Sequence, residues 1–232
     1  MGEEGVNLAA RLKQMNILKF IFSFIYPVTV EKTSSVFNPL LEVRLENGKY
    51  VLNAANANYS FGSLHQIFLK AFQKIKIGER GIKNVLLLGF GAGSVPELLF
   101  EEFKINCTIT AVEVDDKVIE LGKKYFNTER FEKLELICAD ALEFVQQCNS
   151  KFDLIVLDLF IDNKVPSQFE SPGFLLALKK LMGNKSILLF NKIVEMKDAE
   201  SFDRLHENFK KIFGETDFMD ILGNRVLMTV SE

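Results

Sequence analysis

Basic tracts are missing from this 232-residue chain: no run of Lys or Arg exceeds a Lys-Lys pair, and 28 basic residues face 31 acidic ones, a formal charge of −3. A balance of this kind gives no electrostatic footprint for a phosphate backbone and excludes a charge-driven nucleic-acid binder. Cysteine is scarce. Cys107, Cys138 and Cys148 are an odd, scattered set without CxxC spacing, so no disulfide framework or zinc site is spelled out, and a reducing cytoplasm is the expected compartment. Cys107 and Cys138 lie in or beside apolar runs and are expected to be small buried hydrophobes. His65 and His206 are the only histidines, too few for a His-based centre, and no metal is expected.

Long apolar runs are also lacking. Phe20–Tyr26 is apolar but only seven residues long, against the ~20 that span a bilayer, so no stable membrane span is expected. No small-residue cleavage pattern follows it. Leu8, Leu12 and Met15 mark an amphipathic face leading into this segment, which is expected to be a packed helix or subunit contact, a membrane-surface contact being the alternative.

What is present is core material. Hydrophobic residues make up 48% of the chain and charged residues 25%, which excludes disorder and suits one full domain with a small appendage. Residues 28–54 predict a small antiparallel sheet: Leu41–Leu45 alternates apolar and charged residues, Asn47-Gly48 supplies a hairpin turn and Tyr50–Leu52 returns. A helix follows at about 63–75, and Gly78-Glu-Arg-Gly81 places a boundary near residue 80, separating an N-terminal unit, 1–80, from a second domain, 81–232.

In that second domain, apolar runs at 85–88, 109–114, 134–138, 154–157 and 187–190 read as strands of a parallel sheet buried on both faces. Helical segments at 95–103, 116–125, 141–148 and 172–182 separate them. A last helix, 199–213, starts after Asp198 as N-cap, and strands 216–221 and 225–230 flank a Gly223-Asn224 turn. Open sheets of this kind bind ligands at the carboxyl ends of their strands.

Those ends carry chemistry. Gly89, Gly91 and Gly93 follow the first strand and fit a dinucleotide site, an adenosylmethionine site or a plain tight turn. Glu113 ends the second strand, ~20 residues beyond the glycines, where a carboxylate can accept both ribose hydroxyls of an adenosine; Asp115 and Asp116 read as helix caps. Asp140, after the third strand, suits a cap, an acceptor for an adenine amino group, or both. Asp158 ends the fourth, apolar strand, where an unpaired charge is costly and so needs a partner or a task. Asp153, at the other end of that strand, reads as structural. A nicotinamide-dependent enzyme would account for the glycines and Glu113 but leave Asp140, Asp158 and the terminal hairpin unused.

The blocks VLLLGFGAGSVPELL, ITAVEVDDKVIELGKKYF, LELICADALEFV and FDLIVLDLFIDNKVPSQFESPGFL resemble the class I S-adenosylmethionine-dependent methyltransferase superfamily and, within it, the spermidine synthase (aminopropyltransferase) family. The resemblance implies an α/β, Rossmann-like fold: a mostly parallel seven-stranded sheet ending in an antiparallel hairpin, with a small N-terminal β domain. It implies that Gly89, Gly91 and Gly93 contact the cofactor's amino-acid arm, Glu113 with Val114 its ribose, and Asp140 with Ala141 its adenine. Asp158 stands at the family's catalytic aspartate, and Tyr59 and Asp162 join it as candidate catalytic residues. The cofactor implied is S-adenosylmethionine or its decarboxylated form, the acceptor a small molecule, amines included, and the assembly a homodimer.

Three departures shift the expectation. Ala92 replaces the glycine-loop Asp that holds the amine of the decarboxylated cofactor. Asp158-Leu-Phe-Ile-Asp162 replaces an Asp-Ser-Ser-Asp-Pro block. Tyr59–Gln66 carries Ser60, Phe61 and Gln66 at acidic gate positions, leaving Tyr59 and His65 as candidates to meet the acceptor. The loop 159–171, with Phe160, Pro166 and Phe169, is placed to close over the site; it also carries Asp162 and Glu170, although nothing in the sequence shows that either replaces the lost acidic groups. Methyl transfer to a small molecule is therefore the leading expectation. Aminopropyl transfer is the alternative, and a non-catalytic nucleoside-binding protein the third.

Overall fold

Asn47 and Gly48 both adopt positive φ, 49° and 75°. This is the backbone of a type I′ turn, whose twist matches that of its flanking strands. The computed structural model describes residues 17–55, 63–161, 164–194 and 199–231. In it the turn joins β2 (Leu41–Glu46) to β3 (Lys49–Ala54), and β1 (Val28–Thr33) completes a three-stranded antiparallel sheet. Ahead of this sheet a short helix, α1 (Ile17–Phe22), is held at the hairpin turn: Ser23 accepts the Gly48 N–H on its Oγ and the Asn47 N–H on its carbonyl. Within the chain the helix packs only through its contact with the hairpin turn, where Phe20 and Phe24 lie against Gly48; Ile17, Leu18, Ile21 and Phe22 are exposed. Leu8, Leu12 and Met15 lie outside the described residues.

After α2 (Ser63–Lys74) the chain alternates as the apolar runs require. β4 (Asn84–Leu88) leads to α3 (Ser94–Glu97), which continues as a π-turn over Leu98–Glu102. β5 (Thr108–Glu113), α4 (Asp116–Phe126), β6 (Leu134–Cys138), α5 (Ala141–Gln147), β7 (Phe152–Leu157), α6 (Pro172–Leu181), β8 (Met182–Ile193), α7 (Ala199–Phe213), β9 (Thr216–Ile221) and β10 (Asn224–Val230) follow. The seven-stranded sheet has the order β6-β5-β4-β7-β8-β10-β9, parallel except for β10, which is antiparallel to both neighbours.

Alternation along the strands gives the sheet two cores. Val85, Leu87, Ile109, Ala111, Leu154 and Val156 face α2 and α3, where Phe68 and Phe72 are fully buried. Leu86, Leu88, Ile155, Leu157, Leu188 and Phe190 face α5, α6 and α7. Each buried Phe contributes roughly 2–3 kcal/mol. A third, smaller cluster joins Leu41, Val43 and Leu52 of the N-terminal sheet to Ala92 and to Val118 and Leu121 of α4.

Three expectations need correction. β6 is an edge strand, so its residues are only half covered and Cys138 is exposed, whereas Cys107 is buried and desolvation pushes its thiol up to about 11. β8 extends to Ile193, three residues beyond the apolar run, because its last residues pair with β10. Asn224 is not a turn residue: it opens β10, opposite Ile193 and Ile221. Asp153 is structural as expected, accepting the Lys83 and Asn84 amides at 2.8 Å each and tying the start of β7 to β4. Asp198 lies outside the described residues.

Candidate functional site

Strand register brings the site together. Leu88 of β4 pairs with Val112 on one side and Leu157 on the other, and Glu113 of β5 pairs with Cys138 of β6. The residues immediately beyond these pairs, Gly89, Val114, Ala139 and Asp158, therefore emerge at one edge of the sheet. With Gly91, Glu113, Asp140 and Ala141 they wall a cavity of about 310 Å³, within the range of small-molecule sites. The cavity lies where β4 and β7 leave in opposite directions, the switch point of an open α/β sheet.

Glu113 sits at the centre of the glycine loop. Its Oε2 accepts the Phe90 and Gly91 amides, each at 3.1 Å, and its Oε1 accepts the Asp115 amide at 3.2 Å. Burial pushes its pKa up; the loop amides oppose that shift, and the Asp115 charge adds to it. A carboxylate with about four lone-pair positions retains capacity for a further donor. Asp115, also buried, caps α4 through Oδ1 at 3.0 Å from the Lys117 N–H. Its Oδ2 accepts from Ser35 Oγ and from Asn38 Nδ2, which anchors the loop that brings Phe37 to the cavity wall. Asp140 caps α5 with one oxygen, Oδ1, which takes the Leu142 and Glu143 amides at 2.7 and 3.2 Å, and it also lines the cavity.

Asp158 has a partner that the sequence did not disclose. Asn191 Nδ2 donates to its Oδ1 at 2.9 Å, and Asn224 Nδ2 donates to Asn191 Oδ1 at 2.8 Å. Desolvation pushes the Asp158 pKa up to about 7; the Asn191 bond opposes this and the Glu113 charge reinforces it. The sign for stability follows. Relative to an ordinary 3.8, the raised pKa favours the folded state fully below pH 3.8, and that advantage is lost as pH rises through about 7. Asp158→Asn, which keeps the Asn191 bond, is expected to stabilise the apo protein at pH 8 by roughly 1–3 kcal/mol, a range lowered for the partial exposure of the group. Thermal unfolding at pH 8 and pH 4 checks this: the gain should shrink at the lower pH, and an equal gain at both would refute the assignment.

Not every expected residue reaches the cavity. Gly93 stands at the N-terminus of α3, where an added Cβ would meet Thr128 and Phe90 at 3.3 and 3.4 Å, away from the cavity lining. His65 is off the wall as well, although its neighbours Leu64 and Ile67 on α2 are part of it. Phe160, Pro166 and Phe169 of the 159–171 loop do line the cavity. Glu170 is engaged elsewhere, paired with the buried Lys192. Tyr59, Ser60, Phe61 and Asp162 lie outside the described residues. Among the described residues no group of three or more His, Cys, Asp or Glu is arranged to hold a metal, and no helix is long and apolar enough to cross a membrane.

The cavity is rich in acceptors: the carboxylates of Glu113, Asp140 and Asp158 line it together with apolar Val112, Val114 and Ala141, while the Gly89 and Gly91 amides are held by the Val112 carbonyl and by Glu113 Oε2. Comparison with known proteins agrees with this architecture. The spermine/spermidine synthase domain model matches residues 72–221. A polyamine aminopropyltransferase of Vibrio vulnificus is 26% identical over 154 residues, covering 64% of this chain and 50% of that protein. An eEF1A lysine and N-terminal methyltransferase homologue of Drosophila melanogaster is 27% identical over 143 residues, covering 56% of this chain and 21% of that protein. The chain thus spans about half the length of the first relative and a fifth of the second. A spermidine synthase crystallised with the transition-state analogue AdoDATO superposes with a TM-score of 0.73 at 16% identity, over 88% of this chain and 74% of that one. Human methyltransferase-like protein 13, crystallised with SAH, gives 0.64 at 18% identity, over 74% of this chain and 83% of that one. The two structures share the fold, and the match over residues 72–221 decides the lineage: the chain belongs to the spermine/spermidine synthase domain family.

Proposed function

We propose that this chain is an S-adenosylmethionine-dependent transferase that moves a methyl group onto an amine. The observation that carries the reading is the place of Asp158 on the wall of a cavity that Leu64, Ile67, Leu159, Phe160 and Ile161 also line, where desolvation pushes its pKa up to about 7. When bound, the cofactor supplies an electrophilic methyl on a sulfonium. Gly89 and Gly91 let the backbone approach its amino-acid arm, Glu113 accepts from its ribose and Asp140 from its adenine amino group. Asp158 would orient the acceptor amine and take the proton that nitrogen loses as the N–C bond forms and the S–C bond breaks, its electron pair remaining on sulfur as a neutral thioether. A group with a pKa near 7 suits that task at neutral pH, and turnover should rise with pH through this region as Asp158 ionises. Phe160 and Phe169 exclude water from the reacting centre.

Support for methyl over aminopropyl transfer comes from position 92. Ala92 is buried against Leu41, Val43 and Leu52 and presents no carboxylate for the amine of a decarboxylated cofactor. The named activity of the Drosophila relative, an amine methyltransferase, supports the same choice. The second reading, aminopropyl transfer, is favoured by the family match and by the Vibrio relative. Calorimetry with S-adenosylmethionine, S-adenosylhomocysteine and the decarboxylated form separates the two. Methyl transfer predicts at least tenfold tighter binding of the carboxylated forms, and tighter binding of the decarboxylated form would establish the second reading instead. If none of the three binds, the transferase reading itself falls.

A further inference from the structure

We propose that Asn191 and Asn224 are positioning residues: a relay of two amides, running from β10 across β8, that holds Asp158 as a hydrogen-bond acceptor facing the cavity. The proposal rests on the role given to Asp158 above.

An ionised carboxylate only accepts, so Asn191 must turn its NH₂ toward Asp158. That leaves the Asn191 carbonyl facing β10, where it needs a donor, and Asn224 Nδ2 supplies one at 2.8 Å. Asn224 therefore settles which way round the Asn191 amide stands. Reversed, the Asn191 carbonyl would face Asp158 and favour its protonated form, since only a carboxylic acid can donate to it. Both amides are buried, Asn191 1% and Asn224 9% exposed, where an unmatched polar atom costs about 1–3 kcal/mol. Their burial makes the direction of the relay a two-state choice with little room for compromise.

The register explains why these two residues meet. Leu157 pairs with Phe190, so Asp158, one residue past the end of β7, lies beside Asn191, which is still within β8. Asn224 pairs with Ile193 in the antiparallel direction, so it is diagonal to Asn191 and on the same face. β10 presents its first residue at the edge where the parallel strands present their last.

Other charges near the relay are accounted for. Glu113 of β5 and Asp140 before α5 are the other titratable side chains on the cavity wall among the described residues, and no Lys, Arg or His lines it. On β8, Lys192 is paired with Glu170, and on β10, Arg225 is bonded to Asp220 at 2.8 Å. Within the described residues, Asp158 thus has an amide as its neutral partner and Glu113 as its charged neighbour.

The test is a direct titration of Asp158 in the apo protein by NMR of ¹³C-labelled Asp carboxyl groups, its signal assigned by its loss in Asp158→Asn. Asn224→Asp reverses the relay, because an ionised Asp at 224 accepts from the Asn191 NH₂. Asn224→Leu removes the donor without adding charge, and Asn191→Leu removes the bond to Asp158 itself. Each folded variant is expected to titrate Asp158 higher than the wild type, Asn224→Asp by about one pH unit or more. Asn224→Gln, which restores a donor, is expected to return it toward the wild-type value. A folded Asn224→Leu or Asn191→Leu with Asp158 titrating as in the wild type would overturn the proposal, whatever its thermal stability. Calorimetry of S-adenosylhomocysteine on the wild-type protein keeps the questions apart: its failure to bind refutes the transferase reading and leaves the relay to be judged by the titration.

Discussion

Gly89→Ala is expected to cost about 3–5 kcal/mol of stability, a large fraction of what a single domain has to spare. An added Cβ would lie 2.1 Å from the Asp158 carbonyl oxygen and 2.7 Å from its carbonyl carbon, both backbone atoms that no rotamer change can move. The residue also sits at φ +89°, a strained conformation for any L side chain. Neither strand can withdraw. The Gly89 amide is bonded to the Val112 carbonyl at 2.9 Å, and the Asp158 amide to the Leu88 carbonyl at 2.8 Å, so separating β4 from β7 breaks the ladder at the centre of the sheet. Urea unfolding measures the loss. Gly78→Ala, where a Cβ meets nothing within 4 Å, is the matched control and should change stability by less than about 0.5 kcal/mol. A loss below about 1 kcal/mol for Gly89→Ala would show that the strands relax where they cross.

Glu113→Gln is expected to weaken S-adenosylhomocysteine binding by ~10–10²-fold. One ribose hydroxyl bond to the remaining acceptor position of a charged group contributes roughly 1.5–3 kcal/mol, and about 1.4 kcal/mol is a factor of ten. The loop adds to the effect. Glu113 already receives the amides of Phe90, Gly91 and Asp115, so the Gln NH₂ must oppose at least one of these donors or take the place of the acceptor offered to ribose. Either arrangement removes an acceptor from the cavity or loosens the turn that shapes it. Calorimetry of both proteins at pH 8 gives the comparison, with unfolding curves to report the structural share. A change below threefold in a stably folded variant would mean that Glu113 only braces the glycine loop and contributes nothing to ligand binding.

How much of this was legible depends on the kind of signal each element leaves. β6 and β9 were read to the residue because polar or turn residues close them on both sides, and the Asn47-Gly48 hairpin because its turn chemistry is local. The ends of the parallel strands were legible for the same reason: an acidic residue at or just beyond an apolar run has few bland explanations, and Glu113, Asp140 and Asp158 were found that way. Asn191 and Asn224 were not. An uncharged amide at the end of a buried run resembles the beginning of a loop, and Asn after Gly is an ordinary turn pair. Asn224 gains its place from the antiparallel entry of β10, which no pattern within 224–230 announces. The exposure of Ile17, Leu18, Ile21, Phe22, Phe24, Ile25 and Tyr26 is not legible in the sequence, because apolar spacing reports which face a helix would bury and says nothing of whether the covering surface lies within the same chain.

By itself, then, the sequence determined the alternation of strand and helix, the carboxyl edge at which chemistry collects and the acidic residues presented there, since periodicity, turn residues and the cost of burying charge all act over a few neighbouring positions. Tertiary structure alone decided that Glu113 braces the glycine loop, that Asp115 holds the Phe37 loop at the cavity wall, and that Asp158 is backed by two amides from β8 and β10. These are bonds between residues 22 to 77 positions apart, set by strand order and register, and a hydrogen bond of that span leaves no mark on the local sequence at either end.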